Sequence, residues 1–431
     1  MLMEVIKTLS QKKNSIVELV NYNGKEYIAK YYPYYCRSMF IELNILATVK
    51  HSNVLSMVTF LPPNNIEPAR MLLPKLDNNL IDMLEGNFLS VKDKINYLLQ
   101  IAHGIRYLHH NHIVHLDLKL DNIMVHNGNA VIIDFGTSEY LFEEKINTCQ
   151  TKCTVTHRPP EAFQSFGNVY SLDYSSDIWS FGIIMYEILS GIPMHKNPVI
   201  PKYMCGINSD PRYDYNYDNV IHEFISSPNF GKNICKYIPY ELRSCLSYSP
   251  KFRPQISQVI ESLKKFMFLV GAKENIFDES LSLKLVSYET INYNKNAFQY
   301  YDKIVSLLKN NHSDVFLMYP KVLIYATFDL IHRMLPSIDD VDKSYIDQAI
   351  VICCNFLSNG YIVPFDQIIP YFSNKNKKRI TDEIITKTGG IIFQHYFYTN
   401  SFGIFNSDYA IMNSPYYFCK TQKLIKCEQN I

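Results

Sequence analysis

The chain has 431 residues, more than a single hydrophobic core usually serves, so two or three domains are expected. Hydrophobic residues make up 47% and charged residues 19% of the chain, a composition that is ordinary for a folded protein and argues against long disordered stretches. The formal net charge is +1 and no dense run of Lys and Arg occurs, which excludes the electrostatic footprint of a nucleic-acid-binding protein.

Membrane insertion and secretion are not indicated either. The most apolar stretch, residues 181–194, is interrupted by Glu187, and the N-terminus lacks an apolar core of signal-peptide length. The ten cysteines are scattered without CxxC pairs, which favours a reducing compartment. We therefore predict an intracellular, cytoplasmic protein without membrane or nucleic-acid partners. The Asn-, Ile-, Tyr- and Lys-rich composition is typical of AT-rich genomes, including those of large DNA viruses, and for a viral protein the compartment would be the host cell cytoplasm.

The predicted elements change from strands to helices along the first quarter of the chain. Short apolar runs around an Asn-Gly turn predict a β-hairpin over residues 1–32. Apolar residues at helical spacing predict a helix over 40–49, and further strands are expected at 54–61 and 70–73. A long amphipathic helix is predicted over 93–109. A β-rich part is thus followed by an α-rich part.

The stretch His-Leu-Asp-Leu-Lys-Leu-Asp-Asn, residues 115–122, lies between this helix and a short apolar run that predicts a strand. Polar groups packed between two apolar elements must find hydrogen-bond partners, or each costs about 1–3 kcal/mol. Twelve residues beyond Asn122, an Asp-Phe-Gly tripeptide begins at Asp134, directly after the apolar strand 130–133. This concentration of polar groups predicts a functional site.

These two stretches resemble the catalytic loop and the metal-binding loop of the protein kinase family. The resemblance implies that Asp117 orients or deprotonates a substrate hydroxyl and that Lys119 supports the γ-phosphate of ATP. It also implies that Asn122 and Asp134 supply oxygen ligands to Mg²⁺. Lysine at position 119 is the serine/threonine-type choice.

The small lobe of the family is similar to the N-terminal part of the chain. Lys30 ends the segment Tyr-Ile-Ala-Lys, which resembles the strand of the phosphate-binding lysine, and Glu42 resembles the glutamate of the family's αC helix. The resemblance implies a Lys30–Glu42 ion pair that holds the lysine on the α- and β-phosphates. Only 12 residues separate the two, so we expect a shortened approach to the helix.

The glycine-rich phosphate loop of the family is the clearest departure. Ser10, Lys12 and Ser15 stand where three glycines belong, and glycine is the residue that lets backbone amides approach phosphates closely. Val17 keeps the apolar residue that would cover the base. Two outcomes stay open: weakened ATP affinity, or a loop that binds phosphate through its side chains.

Residues 74–77 fall where the family has its hinge, and the resemblance implies that the backbone amide of Leu76 binds adenine. A simple turn between strand and helix is the alternative interpretation.

Leu116 stands where many kinases carry an arginine that pairs with a phosphate on the activation segment. Leucine cannot form that pair. We therefore predict that activity does not depend on phosphorylation of the segment 137–158.

The large lobe carries the family's supporting residues. The resemblance implies that Thr154 lies near Asp117, that Glu161 of Arg-Pro-Pro-Glu pairs with Arg253, and that Asp177 braces the catalytic loop. We predict a kinase domain over residues 1–268, with a small lobe at 1–73, the hinge at 74–77 and a large lobe at 78–268.

The remaining residues, 269–431, are predicted to form an all-α domain. The segment 322–335 resembles a cyclin-box helix, and a cyclin-like domain and an unspecific helical appendage both stay open. A cyclin-like domain would dock on the small lobe and set Glu42. Helical spacing recurs in four segments, which are 297–308, 319–334, 344–357 and 381–396.

The sequence therefore predicts an α+β, bilobal protein kinase fold followed by an all-α domain. The predicted activity is transfer of the ATP γ-phosphoryl group, with Mg²⁺, to serine or threonine hydroxyls of proteins. A pseudokinase scaffold with weak nucleotide binding is the alternative that the glycine-free loop and Leu116 suggest. A small-molecule phosphotransferase is disfavoured by the Pro-Glu and Asp-x-Trp elements.

Overall fold

The computed structural model describes most of the first 269 residues and two helices beyond them. The described ranges are 3–12, 15–33, 35–63, 68–86, 89–141, 146–148, 153–163, 170–196, 234–269, 343–357 and 375–391, with single positions at 303, 304, 307, 326, 327, 330, 331 and 334. Among these residues no helix is both long and apolar enough to cross a membrane.

The N-terminal part is a five-stranded antiparallel sheet with the order β1-β2-β3-β5-β4. The turn between β2 and β3 uses Asn23 and Gly24 with φ of 54° and 80°, the left-handed pair that two-residue hairpins favour. The predicted hairpin is thus confirmed. The strands are β1 Met3–Gln11, β2 Ile16–Tyr22, β3 Lys25–Tyr31, β4 Thr59–Leu61 and β5 Arg70–Pro74.

One helix, α1 (Arg37–Thr48), packs with this sheet and carries Glu42. All eight residues from Met39 to Leu46 are buried. A helix that is buried over two consecutive turns is covered on every face, and other parts of the chain must therefore surround it.

The predicted strand 54–61 is wrong over its first half, since only Thr59–Leu61 is a strand. Val54 instead forms an isolated bridge to Ile132, and the Leu55 amide donates to the Ile132 carbonyl at 2.9 Å. The apolar pattern at 54–55 is explained by burial against the following lobe rather than by the small-lobe sheet.

The second lobe is mainly helical, which confirms the predicted α+β class. Helix α3 begins at a capping box of Ser90 and Asp93, and α4 begins at one of Asp173 and Ser176. The helices are α2 Leu80–Glu85, α3 Val91–His110, α4 Tyr174–Ser190 and α5 Ile256–Leu269. Short strands join in small sheets: β6 Asn78–Asn79 with β8 Ile123–His126 and β9 Asn129–Ile132, β7 Ile113–Val114 with β10 Glu139–Tyr140, and β11 Ile146–Thr148 with β12 Tyr170–Leu172.

Two C-terminal helices, α6 (Lys343–Leu357) and α7 (Lys375–Lys387), pack on each other, and α6 also contacts α1. The prediction of a helix at 344–357 is confirmed. The predicted helix 381–396 begins earlier and ends at Lys387, because Gly389 and Gly390 have φ of 61° and 81° and break the helical backbone.

The other two predicted C-terminal helices are described only at the single positions, all of which are helical. The candidate cyclin-box segment 322–335 is among them, and the cyclin-like interpretation stays a prediction.

Candidate active site

The predicted catalytic loop, residues 115–122, is held in place through its backbone, as the sequence predicts. The two carboxylate oxygens of Asp177 accept the amide hydrogens of His115 and Leu116, each at 2.9 Å. The His115 ring continues the brace, with Nε2 3.0 Å from the Ile133 carbonyl oxygen and Nδ1 accepting the Asp117 amide at 3.2 Å. Asp177 and His115 are buried, so these bonds are shielded from water.

Asp117 lies at the centre of a closed hydrogen-bond network. Its Oδ1 accepts the Thr154 hydroxyl at 2.5 Å and the Thr154 amide at 3.0 Å. The Lys119 ammonium is 3.0 Å from Asp117 Oδ2 and donates to the Thr154 hydroxyl at 2.8 Å. Asn122 Nδ2 donates to the Asp117 carbonyl oxygen at 2.8 Å and to Oδ2 at 3.1 Å. The predicted catalytic residues and Thr154 thus come together from two separate segments.

The Lys30 ammonium bridges two carboxylates. It lies 2.7 Å from Glu42 Oε1 and 2.8 Å from Asp134 Oδ1, so the predicted Lys30–Glu42 ion pair is present. Burial acts to lower the pKa of Lys30, but the charges of Glu42 and Asp134 outweigh it and raise that pKa above its ordinary value. The lysine is therefore a permanent cation in the cleft.

Asp134 follows β9 with a left-handed backbone, φ 64°, which is uncommon for a residue with a side chain. Burial acts to raise the pKa of its carboxyl, but the charge and the hydrogen bond of Lys30, together with the charge of Lys12, lower that pKa to about 2. The Ile133 amide donates to the Asn122 carbonyl oxygen at 3.0 Å and ties the two loops together. Asp134 is ionised, and 37% of its side chain is exposed.

The residues predicted to contact the nucleotide lie on the hairpin and at the end of β5. Ser10 is paired with Val17 across β1 and β2, and the Lys12 amide closes the turn by donating to the Ser15 carbonyl oxygen at 2.9 Å. Leu76 is partly buried between β5 and β6, against the main core. The structure places the hairpin residues next to the strand of Lys30, since Val17 is also the β-partner of Lys30.

Leu116 has a left-handed backbone, φ 65°, and is buried in an apolar cluster with parts of the activation segment. The members of this cluster are Val114, Leu116, Leu141, Ile146, Cys153, Ala162 and Leu172.

An ion pair that the sequence did not suggest joins the small-lobe helix α1 to the large lobe. Arg37, at the start of α1, donates two side-chain hydrogen bonds to the fully buried Glu139.

The predicted large-lobe ion pair is confirmed. Both terminal nitrogens of Arg253 donate to the Glu161 carboxylate at 2.7 Å, a bidentate geometry, and Arg253 is buried.

The part of the chain that contains both lobes matches a known family. Residues 4–263, well over half of the chain, match the family model described as the protein kinase domain. The chain belongs to the protein kinase family. The two-lobed α+β arrangement is therefore that of a protein kinase, and both loops, around Asp117 and Asp134, lie within the matched residues.

Individual protein kinases are similar to this chain at modest identity. A Dictyostelium discoideum protein named as a probable serine/threonine-protein kinase is 28% identical over 231 residues, which cover 52% of this chain and 13% of that protein. An Acanthamoeba polyphaga mimivirus protein, whose name designates a serine/threonine-protein kinase, is 26% identical over 297 residues, 61% of this chain and 52% of that protein. Mitogen-activated protein kinase kinase 9 of Arabidopsis thaliana is 30% identical over 182 residues, 41% of this chain and 58% of that protein. The chain thus spans less than two thirds of each of these relatives.

Sequence reasoning missed Tyr32, whose hydroxyl donates to Glu42 Oε2 at 2.5 Å. Its position two residues after Lys30 was a weak signal, because side chains two apart along a strand lie on the same face. The Arg37–Glu139 pair was missed as well. Its members are 102 residues apart and neither belongs to a family motif.

Proposed function

We propose that this protein is a serine/threonine protein kinase that transfers the γ-phosphoryl group of ATP to protein hydroxyls. The observation that carries the proposal is the network around Asp117, in which Thr154 donates to the carboxylate while it accepts from Lys119. A carboxylate held by a hydroxyl, an amide and a cation has one orientation. Such positioning is the main contribution a protein makes to phosphoryl transfer.

Asp117 is proposed to accept the proton of the substrate hydroxyl. Its Oδ1 is bound by Thr154, whereas Oδ2 has Lys119 and Asn122 beside it, so a hydroxyl that reaches Oδ2 also meets the Lys119 charge. The cation is proposed to stabilise the negative charge that develops on the transferred group. The side chains of Asp117 and Lys119 are 13% and 22% exposed, which leaves them open to the cleft.

The residues at 122 and 134 fit Mg²⁺. Because the Asn122 amide nitrogen is committed to Asp117, its oxygen is the atom left to act as a ligand. Asp134 uses Oδ1 for Lys30 and keeps a second carboxylate oxygen, and hard oxygen donors are what Mg²⁺ prefers. When bound with ATP, Mg²⁺ would neutralise charge on the phosphates. Lys30, held by Glu42, is proposed to contact the α- and β-phosphates.

We propose that the glycine-free loop binds phosphate through side chains. Lys12 is exposed, and its positive charge contributes to the low pKa of Asp134, which supports a position toward the cleft. Ser15 lies at the end of the same turn and Ser10 lies on β1, two residues before Lys12, and both have hydroxyls. Val17 and Leu76 are proposed to contact the base from the hairpin and the hinge.

The control of activity is proposed to be independent of activation-segment phosphorylation. Leu116 is supported by apolar contacts with Ile146 and Cys153 of that segment, in place of a charge pair. The Arg37–Glu139 pair, whose carboxylate is buried, already joins α1 to the start of the segment. A phosphate would have no cation at position 116 to bind.

We also propose a division into a kinase domain (1–268, hinge 74–77) and a helical domain (269–431) that docks on α1. The Tyr35 hydroxyl is hydrogen-bonded to Asp382, and Leu43 of α1 faces Gly390. A Cβ added at Gly390 would lie 2.9 Å from Leu43, closer than real contacts allow. Docking is proposed to hold α1, and with it Glu42, in place.

Gly390→Ala tests the docking proposal, with Gly389→Ala as the matched control. Both positions have left-handed φ, but a Cβ at Gly389 meets no atom of the described residues within 4 Å. We expect kinase activity to fall in G390A beyond any loss in G389A, measured as kcat/KM for ATP. Equal losses in the two variants would show that only the backbone conformation matters.

An intracellular, cytoplasmic location is proposed, in the host cell if the protein is viral. Buried thiols such as Cys36, Cys153 and Cys245 are typical of a reducing compartment.

The activity itself is tested with Asp117→Asn and, as control, Asp121→Asn, an exposed residue on the same loop. Labelled ATP and a basic protein substrate report phosphoryl transfer. We expect D117N to lose about 10²–10⁴-fold in rate, the usual contribution of a positioned base, while D121N keeps the wild-type rate within about twofold. Equal, background-level incorporation in the wild type and D117N would favour a pseudokinase scaffold.

A further inference from the structure

The second oxygen of the buried Glu42 carboxylate is bound by Tyr32. Tyr32 lies directly beyond the end of β3, two residues after Lys30, and is 6% exposed. Its hydroxyl donates to Glu42 Oε2 at 2.5 Å, while Lys30 donates to Oε1 at 2.7 Å. One short stretch of chain therefore occupies both oxygens of the carboxylate.

Two anchors restrict a carboxylate in a way that one does not. The terminal torsion of a glutamate is broad and roughly two-fold, so a single bond from Lys30 leaves the plane of the Glu42 carboxylate free to turn. Burial and the charge of Glu42 raise the pKa of Tyr32 well above its ordinary value, so its hydroxyl stays protonated and remains a donor. Tyr32 thereby fixes which way Oε1 faces.

The Tyr32 hydroxyl also lies beside the metal-binding loop. A Cβ built on Gly136 would be 3.4 Å from this hydroxyl, 3.5 Å from Asp134 Oδ1 and 4.0 Å from Glu42 Oε2. The Lys30 ammonium is 5.9 Å from the centre of the Tyr32 ring. The hydroxyl thus lies where β3, α1 and the loop after β9 meet.

We propose that Tyr32 is a positioning residue that holds Glu42 in the orientation in which it pairs with Lys30. It touches neither nucleotide nor substrate and acts through Glu42, so that the Lys30 ammonium is presented to the phosphates in a fixed place. This inference rests on the proposed kinase function, because it assigns a role within that site.

Tyr32→Phe removes the hydroxyl and keeps the ring, and Tyr31→Phe is the matched control. Tyr31 is the preceding residue, and its hydroxyl is 3.4 Å from another glutamate, Glu18, away from the Lys30–Glu42 pair. With the full chain, we expect Y32F to raise KM for ATP about tenfold, the effect of losing one hydrogen bond to a charged group, with a smaller change in kcat. Y31F should change KM by less than about twofold. Unchanged kinetics in Y32F would overturn the proposal.

A second measurement does not depend on activity. The rate at which an amine-acylating reagent modifies Lys30 at one fixed pH is followed by mass spectrometry. In Y32F the loosened Glu42 holds the Lys30 ammonium less firmly, so the labelling rate should rise; in Y31F it should equal that of the wild type. If the wild type shows no phosphoryl transfer, the kinase proposal fails, and the labelling rates still decide the role of Tyr32.

A double-mutant cycle with Glu42→Leu separates positioning from packing, because leucine cannot accept the Tyr32 hydroxyl. If Tyr32 acts through the carboxylate, adding Y32F to E42L should not change the labelling of Lys30 and should not lower the thermal unfolding temperature. A change in labelling or a loss of stability that Y32F still causes in the E42L background would overturn the proposal. The same cycle covers a Y32F protein that does not fold: a folded double variant supports the role through Glu42, and an unfolded one assigns Tyr32 to packing alone.

Discussion

The catalytic loop and the phosphate loop serve the same proposed reaction but are held in opposite ways. The backbone of the catalytic loop is bonded to the buried Asp177, and its functional groups are bonded to one another and to Thr154. Between the described residues of the proposed phosphate loop, a backbone hydrogen bond joins Lys12 to Ser15, and Lys12 is exposed. The motif residues of the catalytic loop are bonded to distant parts of the chain, so a substitution there would break those bonds. The phosphate loop is held by its own hairpin, which still forms with serine and lysine in place of glycine.

The largest expected loss of stability and activity is for Asp177→Ala, which removes the bonds that hold the backbone of the catalytic loop. Two buried backbone amides, those of His115 and Leu116, would lose their acceptors. At about 1–3 kcal/mol for each unsatisfied group, unfolding free energy should fall by roughly 2–6 kcal/mol, and phosphoryl transfer should fall about 100-fold or more.

Urea unfolding and kinase assays check this prediction. Asp173→Ala is the control, because Asp173 only caps the first turn of α4 and its loss should cost about 1 kcal/mol with little effect on rate. If D177A were no less stable than D173A, the brace would not be what holds the loop.

For the phosphate loop, a moderate change in KM for ATP is expected from Lys12→Ala. Removing a cation that is proposed to face the phosphates should raise KM for ATP about three- to tenfold and leave kcat nearly unchanged, the sign of lost ground-state binding. Lys7→Ala, an exposed lysine on β1, the strand that precedes Lys12, is the control. Equal KM values in K12A and the wild type would favour the other outcome, a phosphate loop whose side chains do not bind phosphate.

A smaller effect is expected on the stability of the fold at acidic pH. The folded-state pKa of Asp134 is about 2, below its ordinary value of 3.8, so its ionised form stabilises the fold above about pH 4. That contribution is lost as the pH falls from about 4 to 2. In Lys30→Met the main cause of the low pKa is removed, and the decline of stability over this window should be shallower. Parallel curves for the two proteins, from chemical denaturation at each pH, would contradict the assignment.

The smallest effect, none at all, is expected for the double substitution Thr148→Ala and Thr151→Ala in the activation segment. Thr148 lies on β11, the strand that also carries Ile146 of the Leu116 cluster, and Thr151 lies outside the described residues. Activity on a generic substrate should equal that of the wild type. A loss would mean that a phosphate controls the segment after all.

The sequence predicted the residues of the site better than their supports. Asp117, Lys119, Asn122 and Asp134 stand at fixed local spacings, and the apolar strands around them show in the periodicity of the sequence. Tyr32 was missed because the chain holds 33 tyrosines and no local pattern distinguishes one that donates to a glutamate.

Contacts between distant segments had no local signal either. The Tyr35–Asp382 contact joins residues 347 positions apart, and only folding brings them together. The apolar run at 54–61 is a second case in which the sequence did not reveal the contact partner. Periodicity reports that a segment is buried, but it does not report whether the small-lobe sheet or the large lobe buries it.

The environment of Leu116 has a consequence for how this kinase can change over evolutionary time. Its side chain is 1% exposed and surrounded by apolar residues of the activation segment. An arginine introduced at this one position would bury an unpaired charge, which is among the most destabilising single changes. An arginine that could bind a phosphate is therefore not one tolerated substitution away, since the apolar partners would have to change together with Leu116.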